Sequence, residues 1–156
     1  PEWLFADRAR YPTRARLFAE RNRVLARHPK MRVIGAHMAN SSEDLEQLAR
    51  WLRRYPNLYV DIDARINELG RQPYTARRFI IAFQDRVMFG TDTFRVTRAV
   101  YETYYRFLET DDEYFDTAPA NGRQGFWMVY GLFLPKDVLR KVYRDNARRL
   151  LAFPRP

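Results

Sequence analysis

His37, Asp61, Asp63, Arg65 and Asp92 are the residues on which chemistry could rest. His37 closes the apolar run Arg32-Val33-Ile34-Gly35-Ala36. Asp61 lies in the run Leu58-Tyr59-Val60-Asp61-Ile62, and Asp63 and Arg65 follow it. Asp92 follows Val87-Met88-Phe89-Gly90. Three apolar runs thus deliver an imidazole, two carboxylates with a guanidinium, and a third carboxylate. An imidazole beside a carboxylate suits divalent-metal binding or proton transfer. A guanidinium can grip a substrate carboxylate through two parallel hydrogen bonds. Structural duties compete for the same side chains. His37 could satisfy buried backbone groups, and Asp92 could cap the next helix. Asp61 could be a pleat position paired with an arginine, and Arg65 could pair with Asp63 or Glu68. His28, at a helix C-terminus where a cation is favourable, is read as structural.

The elements that must position these residues follow from periodicity and punctuation. Pro1 to Pro12 reads as a loop anchored by Trp3, Leu4 and Phe5. Thr13 caps a helix running to about His28, where Pro29 stops it. The run ending at His37 is a buried strand. Ser41 and Ser42, followed by Glu43 and Asp44, start a second helix. Its stripe of Leu45, Leu48, Ala49 and Leu52 has helical spacing. Leu58–Ile62 is the second strand, Arg65 to Pro73 a loop, and Tyr74 to Phe83 a helix. Val87–Gly90 is the third strand. Thr93 or Thr97 opens a helix carrying Val100, Tyr104, Phe107 and Leu108. Glu109 to Gln124 reads as a loop. Leu134-Pro135 starts a helix with Val138, Leu139, Val142 and Tyr143 inward, and a last helix spans about Asn146 to Leu151. Strand starts about 25–30 residues apart, with helices between, predict a parallel α/β sheet. Ligands bind at the carboxyl ends of such strands. His37, Arg65 and Asp92 are therefore expected on one rim.

Composition bounds the answer. The chain has 156 residues, enough for one domain or a part of one. Hydrophobic residues make up 46 %, which excludes wholesale disorder. No run of eighteen apolar residues exists, so no membrane partner is expected. There is no cysteine, which excludes disulfides, thiolate metal sites and cysteine nucleophiles. Lys plus Arg number 28 against 19 acids, a net charge of +9. Only Lys30, Lys136 and Lys141 are lysine, and the arginines are spread along the helices. That pattern reads as solvated helix faces. A basic nucleic-acid-binding module is the alternative from another class, although no nucleic-acid motif is present. The first residue is proline, so a processed chain or a piece of a longer one is expected.

The runs resemble a known family. His-Pro-Lys-Met-Arg-Val-Ile-Gly-Ala-His at 28–37, Tyr-Pro-Asn-Leu-Tyr-Val-Asp-Ile at 55–62, Asp-Arg-Val-Met-Phe-Gly-Thr-Asp at 85–92 and Asp-Asn-Ala-Arg-Arg-Leu-Leu at 145–151 are similar to the C-terminal half of the amidohydrolase-related metal-dependent hydrolases. That group includes the aminocarboxymuconate-semialdehyde-type decarboxylases. The stretches 64–73 and 106–110 look like an uncharacterised branch. The resemblance implies a partial (β/α)₈ barrel, residues 1–156 forming its C-terminal portion with strands six to eight. It implies that His37 is the strand-six histidine, which contacts substrate or activates water. It implies that Asp92 is the strand-eight aspartate, a metal ligand that also moves a proton.

The family's His-x-His after strand one and its strand-five histidine have no counterpart, since the chain holds only His28 and His37. A barrel of this kind needs about 250 residues. Met38-Ala39-Asn40 stands where many relatives carry glycine after the histidine. The implied activity, for the intact protein, is metal-dependent hydrolysis of a small organic substrate, with non-oxidative decarboxylation the alternative. The implied cofactor is a divalent metal, zinc by preference, with Asp92 its ligand here and Arg65 a substrate-carboxylate contact. This chain alone is expected to be inactive. The partners expected are a small-molecule substrate and, in a homo-oligomer, further copies of the chain. Nucleic acid is not expected. The compartment is left open, with the cytoplasm favoured.

Overall fold

The structure is a computed structural model that describes residues 5–117 and 125–151. Helix α1 (Arg14–Arg27) opens on Thr13, whose side chain accepts from the Arg16 amide at 3.1 Å. It ends at His28, ahead of Pro29. Strand β1 (Val33–Gly35) leads into a short left-handed turn, α2 (Ala36–Asn40). Helix α3 (Leu45–Arg54) follows, then β2 (Leu58–Asp61). The crossover to β3 (Val87–Met88) holds α4 (Ile66–Gly70) and α5 (Pro73–Ala82). Helix α6 (Arg98–Glu109) comes next. The chain closes with α7 (Lys136–Arg140), a wider π turn (Lys141–Asp145) and α8 (Asn146–Leu151).

The sheet has the order β1-β2-β3, and both pairings are parallel. Val33 pairs with Leu58, Gly35 with Val60, and Val60 with Val87. These residues share the face that the helices cover, and Leu58, Val60 and Val87 are completely buried. The predicted stripes pack onto the same core: Leu45, Leu48, Ala49 and Leu52 of α3, and Val100, Tyr104, Phe107 and Leu108 of α6. Each such large side chain contributes about 1.5–3 kcal/mol by leaving water. The opposite face carries Ile34, Tyr59, Asp61 and Met88. Ile34 there is 39 % exposed. The architecture is α/β, a three-stranded parallel sheet with flanking helices, consistent with part of a (β/α)₈ barrel.

Two buried amides lock the loops beneath the strands. Asn57 Nδ2 lies 3.0–3.2 Å from the carbonyls of Leu25, His28 and Met31. Asn146 Nδ2 donates to the carbonyls of Gln84 and Val87 at 2.6 and 2.8 Å.

Several local expectations shift. The cap of α3 is Asp44, accepting from the Gln47 amide at 2.9 Å, whereas Ser41 and Ser42 are buried. The cap of α6 is Thr97, not Thr93. The predicted loop after Arg65 holds α4, because Ile66 and Leu69, three apart, both reach the core. Phe115, within the predicted loop from Glu109 to Gln124, forms an antiparallel bridge with Val129 beyond it. The third strand stops at Met88, because the Phe89 amide turns to the Val142 carbonyl at 2.9 Å. Trp3 and Leu4, and positions 118–124 of the loop, lie outside the described residues. Among the described residues no helix is long and apolar enough to cross a membrane.

Candidate active site

The chain leaves β1 in an unusual way. His37, Met38, Ala39 and Asn40 have φ of 56°, 55°, 52° and 55°, four consecutive left-handed residues and none of them glycine. Each such residue costs roughly 1–2 kcal/mol against the right-handed form. The surroundings hold the turn. Its start is tied by the His37 amide, which donates to Asp61 Oδ1 at 2.7 Å. Its end is tied by α1: Arg21 donates to the Ala39 carbonyl at 3.0 Å, and Arg14 donates to the Asn40 carbonyl. The turn folds back so closely that a Cβ at Gly35 would lie 2.7 Å from that of Ala39.

This turn places the His37 ring at the carboxyl end of the sheet. Its Nδ1 lies 2.9 Å from the Asp63 carbonyl. A carbonyl can only accept, so Nδ1 carries the proton and, in the neutral ring, Nε2 holds the lone pair. Nε2 faces Asp92 Oδ2 at 3.9 Å. Asp92 is itself left-handed, with φ of 53°. Its loop is supported by Tyr104, whose hydroxyl donates to the Thr91 carbonyl at 3.5 Å. Burial pushes the Tyr104 hydroxyl well above the ordinary tyrosine range, so it stays a donor. Ala64, Asn67, Thr91, Asp92 and Tyr104 line a cleft of about 70 Å³. Asp92 is thus no helix cap, which is Thr97.

Two more carboxylates stand behind the pair. Asp61 Oδ1 also accepts from the Asp63 amide at 3.3 Å. Burial raises the Asp61 carboxyl above the usual range, against the pull of these two amides. Asp63 lies across Gly90, where a Cβ would fall 1.5 Å from its Oδ1. That oxygen is buried without a hydrogen-bond partner among the described residues. Burial first, and the neighbouring Asp61 charge second, push Asp63 up to about 6. Among the described residues Asp61 is not paired with an arginine, as one reading of the sequence allowed. Its position out of phase with Val60 and Ile62 had pointed only to a pleat position.

Arg65 also follows the end of β2, but its charge is committed. Its Nη1 donates to Glu68 Oε1 at 2.8 Å. Both side chains line a larger cavity of about 1140 Å³ along the outer edge of β1, with Phe18, Ile34 and Asn40. Neither His37 nor Asp92 lines that cavity.

The family model for amidohydrolases matches residues 6–153. The chain belongs to the amidohydrolase family. No curated protein and no solved structure matches it. Amidohydrolase-superfamily members typically bind divalent metals. The donors here have the right chemistry, an imidazole lone pair and a carboxylate oxygen converging on one side. Among the described residues no group of three His, Asp or Glu side chains is placed to hold an ion. A catalytic zinc site uses three protein ligands, so the set within the described residues is partial.

Proposed function

We propose that this chain is the C-terminal part of a (β/α)₈ amidohydrolase barrel that hydrolyses a small organic substrate, with His37 and Asp92 as its catalytic pair. The observation that carries the reading is the convergence of His37 Nε2 and Asp92 Oδ2 at 3.9 Å, with the ring's other nitrogen already occupied. The open groove beside β1 and the half-exposed Ile34 support the partial-barrel assignment, because a neighbouring strand would fill both.

Asp92 is the residue that would hold a divalent metal, zinc by preference. Such an ion supplies, when bound, a water with its pKa lowered towards about 7. Asp92 Oδ2 accepts a proton from the attacking water. His37, with its lone pair on Nε2, orients the substrate and takes or returns a proton at that atom. Asp63 fixes the ring's orientation through its backbone carbonyl. Arg65 would meet a substrate carboxylate only by loosening its pair with Glu68.

The test is metal content after dialysis, with turnover, in the complete barrel and in the 156-residue chain. Stoichiometric divalent metal is expected in the barrel, with activity lost in Asp92→Ala. Tight, stoichiometric zinc in the 156-residue chain would contradict the argument that its donor set is partial. Release of carbon dioxide in place of hydrolysis would assign the carboxy-lyase branch.

A further inference from the structure

We propose that Asp61 is a positioning residue, whose single oxygen Oδ1 sets both the orientation and the tautomer of His37. The inference rests on reading His37 as a working group of the site, but its test does not use turnover.

Oδ1 accepts from the His37 amide at 2.7 Å and from the Asp63 amide at 3.3 Å. The Asp63 carbonyl in turn accepts from His37 Nδ1 at 2.9 Å. One atom therefore anchors the ring twice, through the backbone that carries it and through the loop that supplies its partner. The arrangement crosses the sheet, because His37 follows β1 while Asp61 ends β2.

The strain in the turn makes the anchor necessary. Four left-handed residues without glycine return to the right-handed form when released. The far end has two arginine ties, to Ala39 and Asn40, whereas the His37 amide is tied across the sheet to Asp61. Losing Oδ1 frees the first residue of the turn and loosens the Asp63 loop at once. The ring then loses its acceptor at Nδ1. A solvated imidazole prefers its proton on Nε2, the nitrogen that the Nδ1 bond leaves bare and turned towards Asp92. The partial burial of Asp61, which raises its carboxyl, is the cost of keeping that acceptor in place.

The chain provides its own control, since it has two histidines and His28 lies at the opposite end of the strands. Long-range proton–nitrogen NMR of the imidazole rings, at alkaline pH on the full chain, reads each tautomer. The parent should show His37 protonated on Nδ1. Asp61→Ala should shift its tautomer ratio about five- to tenfold towards Nε2–H, the worth of one net hydrogen bond, with the His28 signal unmoved. Asp61→Asn, which keeps an oxygen acceptor, should retain the parental tautomer. A folded Asp61→Ala with His37 still protonated on Nδ1 would overturn the proposal, as would a folded Asp61→Asn that loses it. If Asp61→Ala unfolds, seen as collapse of amide dispersion, Asp61→Glu decides. It keeps the charge and displaces the oxygen by one methylene, so an unchanged His37 signal there also overturns the proposal. Failure of the functional reading looks different: in the complete barrel, Asp92→Ala would keep both the His37 tautomer and the activity.

Discussion

Asp63→Asn should stabilise the protein at neutral pH and have little effect in acid. Asp63 is held at about 6, against an ordinary 3.8, with burial the main cause and the Asp61 charge the second. A carboxyl whose pKa is raised by folding binds its proton more tightly in the native state than in the unfolded chain. Between about pH 4 and 6 the native state therefore holds more protons, and stability falls as pH rises through that window. Below it both states are protonated and the penalty is absent. Above it the penalty is complete. About two units at 1.36 kcal/mol each is roughly 3 kcal/mol, an upper bound. The side chain is only partly buried, so solvent screening reduces this to about 1–1.5 kcal/mol. Asparagine has nearly the same shape and removes the charge. The assay is denaturant unfolding of parent and variant side by side from about pH 4 to 8. The difference between them cancels the titrating groups that do not interact with Asp63. It should grow across the window to about 1–1.5 kcal/mol in favour of the variant, then level. A difference that stays flat with pH, or one that grows in favour of the parent, would refute the burial argument.

Gly90→Ala should destabilise by about 1–3 kcal/mol, because the added Cβ falls 1.5 Å from Asp63 Oδ1 and the carboxyl must leave. Asp63→Ala in the same chain should recover part of that loss in thermal melts; no recovery would place the conflict elsewhere. The 156-residue chain by itself should associate. The outer edge of β1 is unpaired among the described residues and Ile34 is 39 % exposed beside it. Sedimentation at low concentration is the check, and a monomer with sharp, concentration-independent unfolding would exclude a partial barrel.

The rhythm of the chain was enough to establish the parallel α/β layout. The runs at Val33, Leu58 and Val87 became the three strands, and the stripes of α3 and α6 became their cover. Periodicity works there because burial is decided residue by residue along an element. The end of each apolar run also marked where His37 and Asp92 would stand, because parallel strands all point their carboxyl ends the same way. The caps at Asp44 and Thr97 and the short α4 were less legible, since several polar residues compete for each start and one helical turn leaves little period to read.

The sequence could not assign Arg65, because whether it meets substrate or Glu68 depends on a rotamer and a neighbour one turn away. It left Asp61 between pleat and partner. Only the folded sheet shows its oxygen between two amides on neighbouring connections. The left-handed turn at His37–Asn40 was invisible for the same reason. Local preference argues against it, most of all at Met38 and Ala39, and it stands because Asp61, Arg21 and Arg14, distant in sequence, hold its ends. Local physics thus decided which residues reach the rim, and contacts between elements decided which way each one faces.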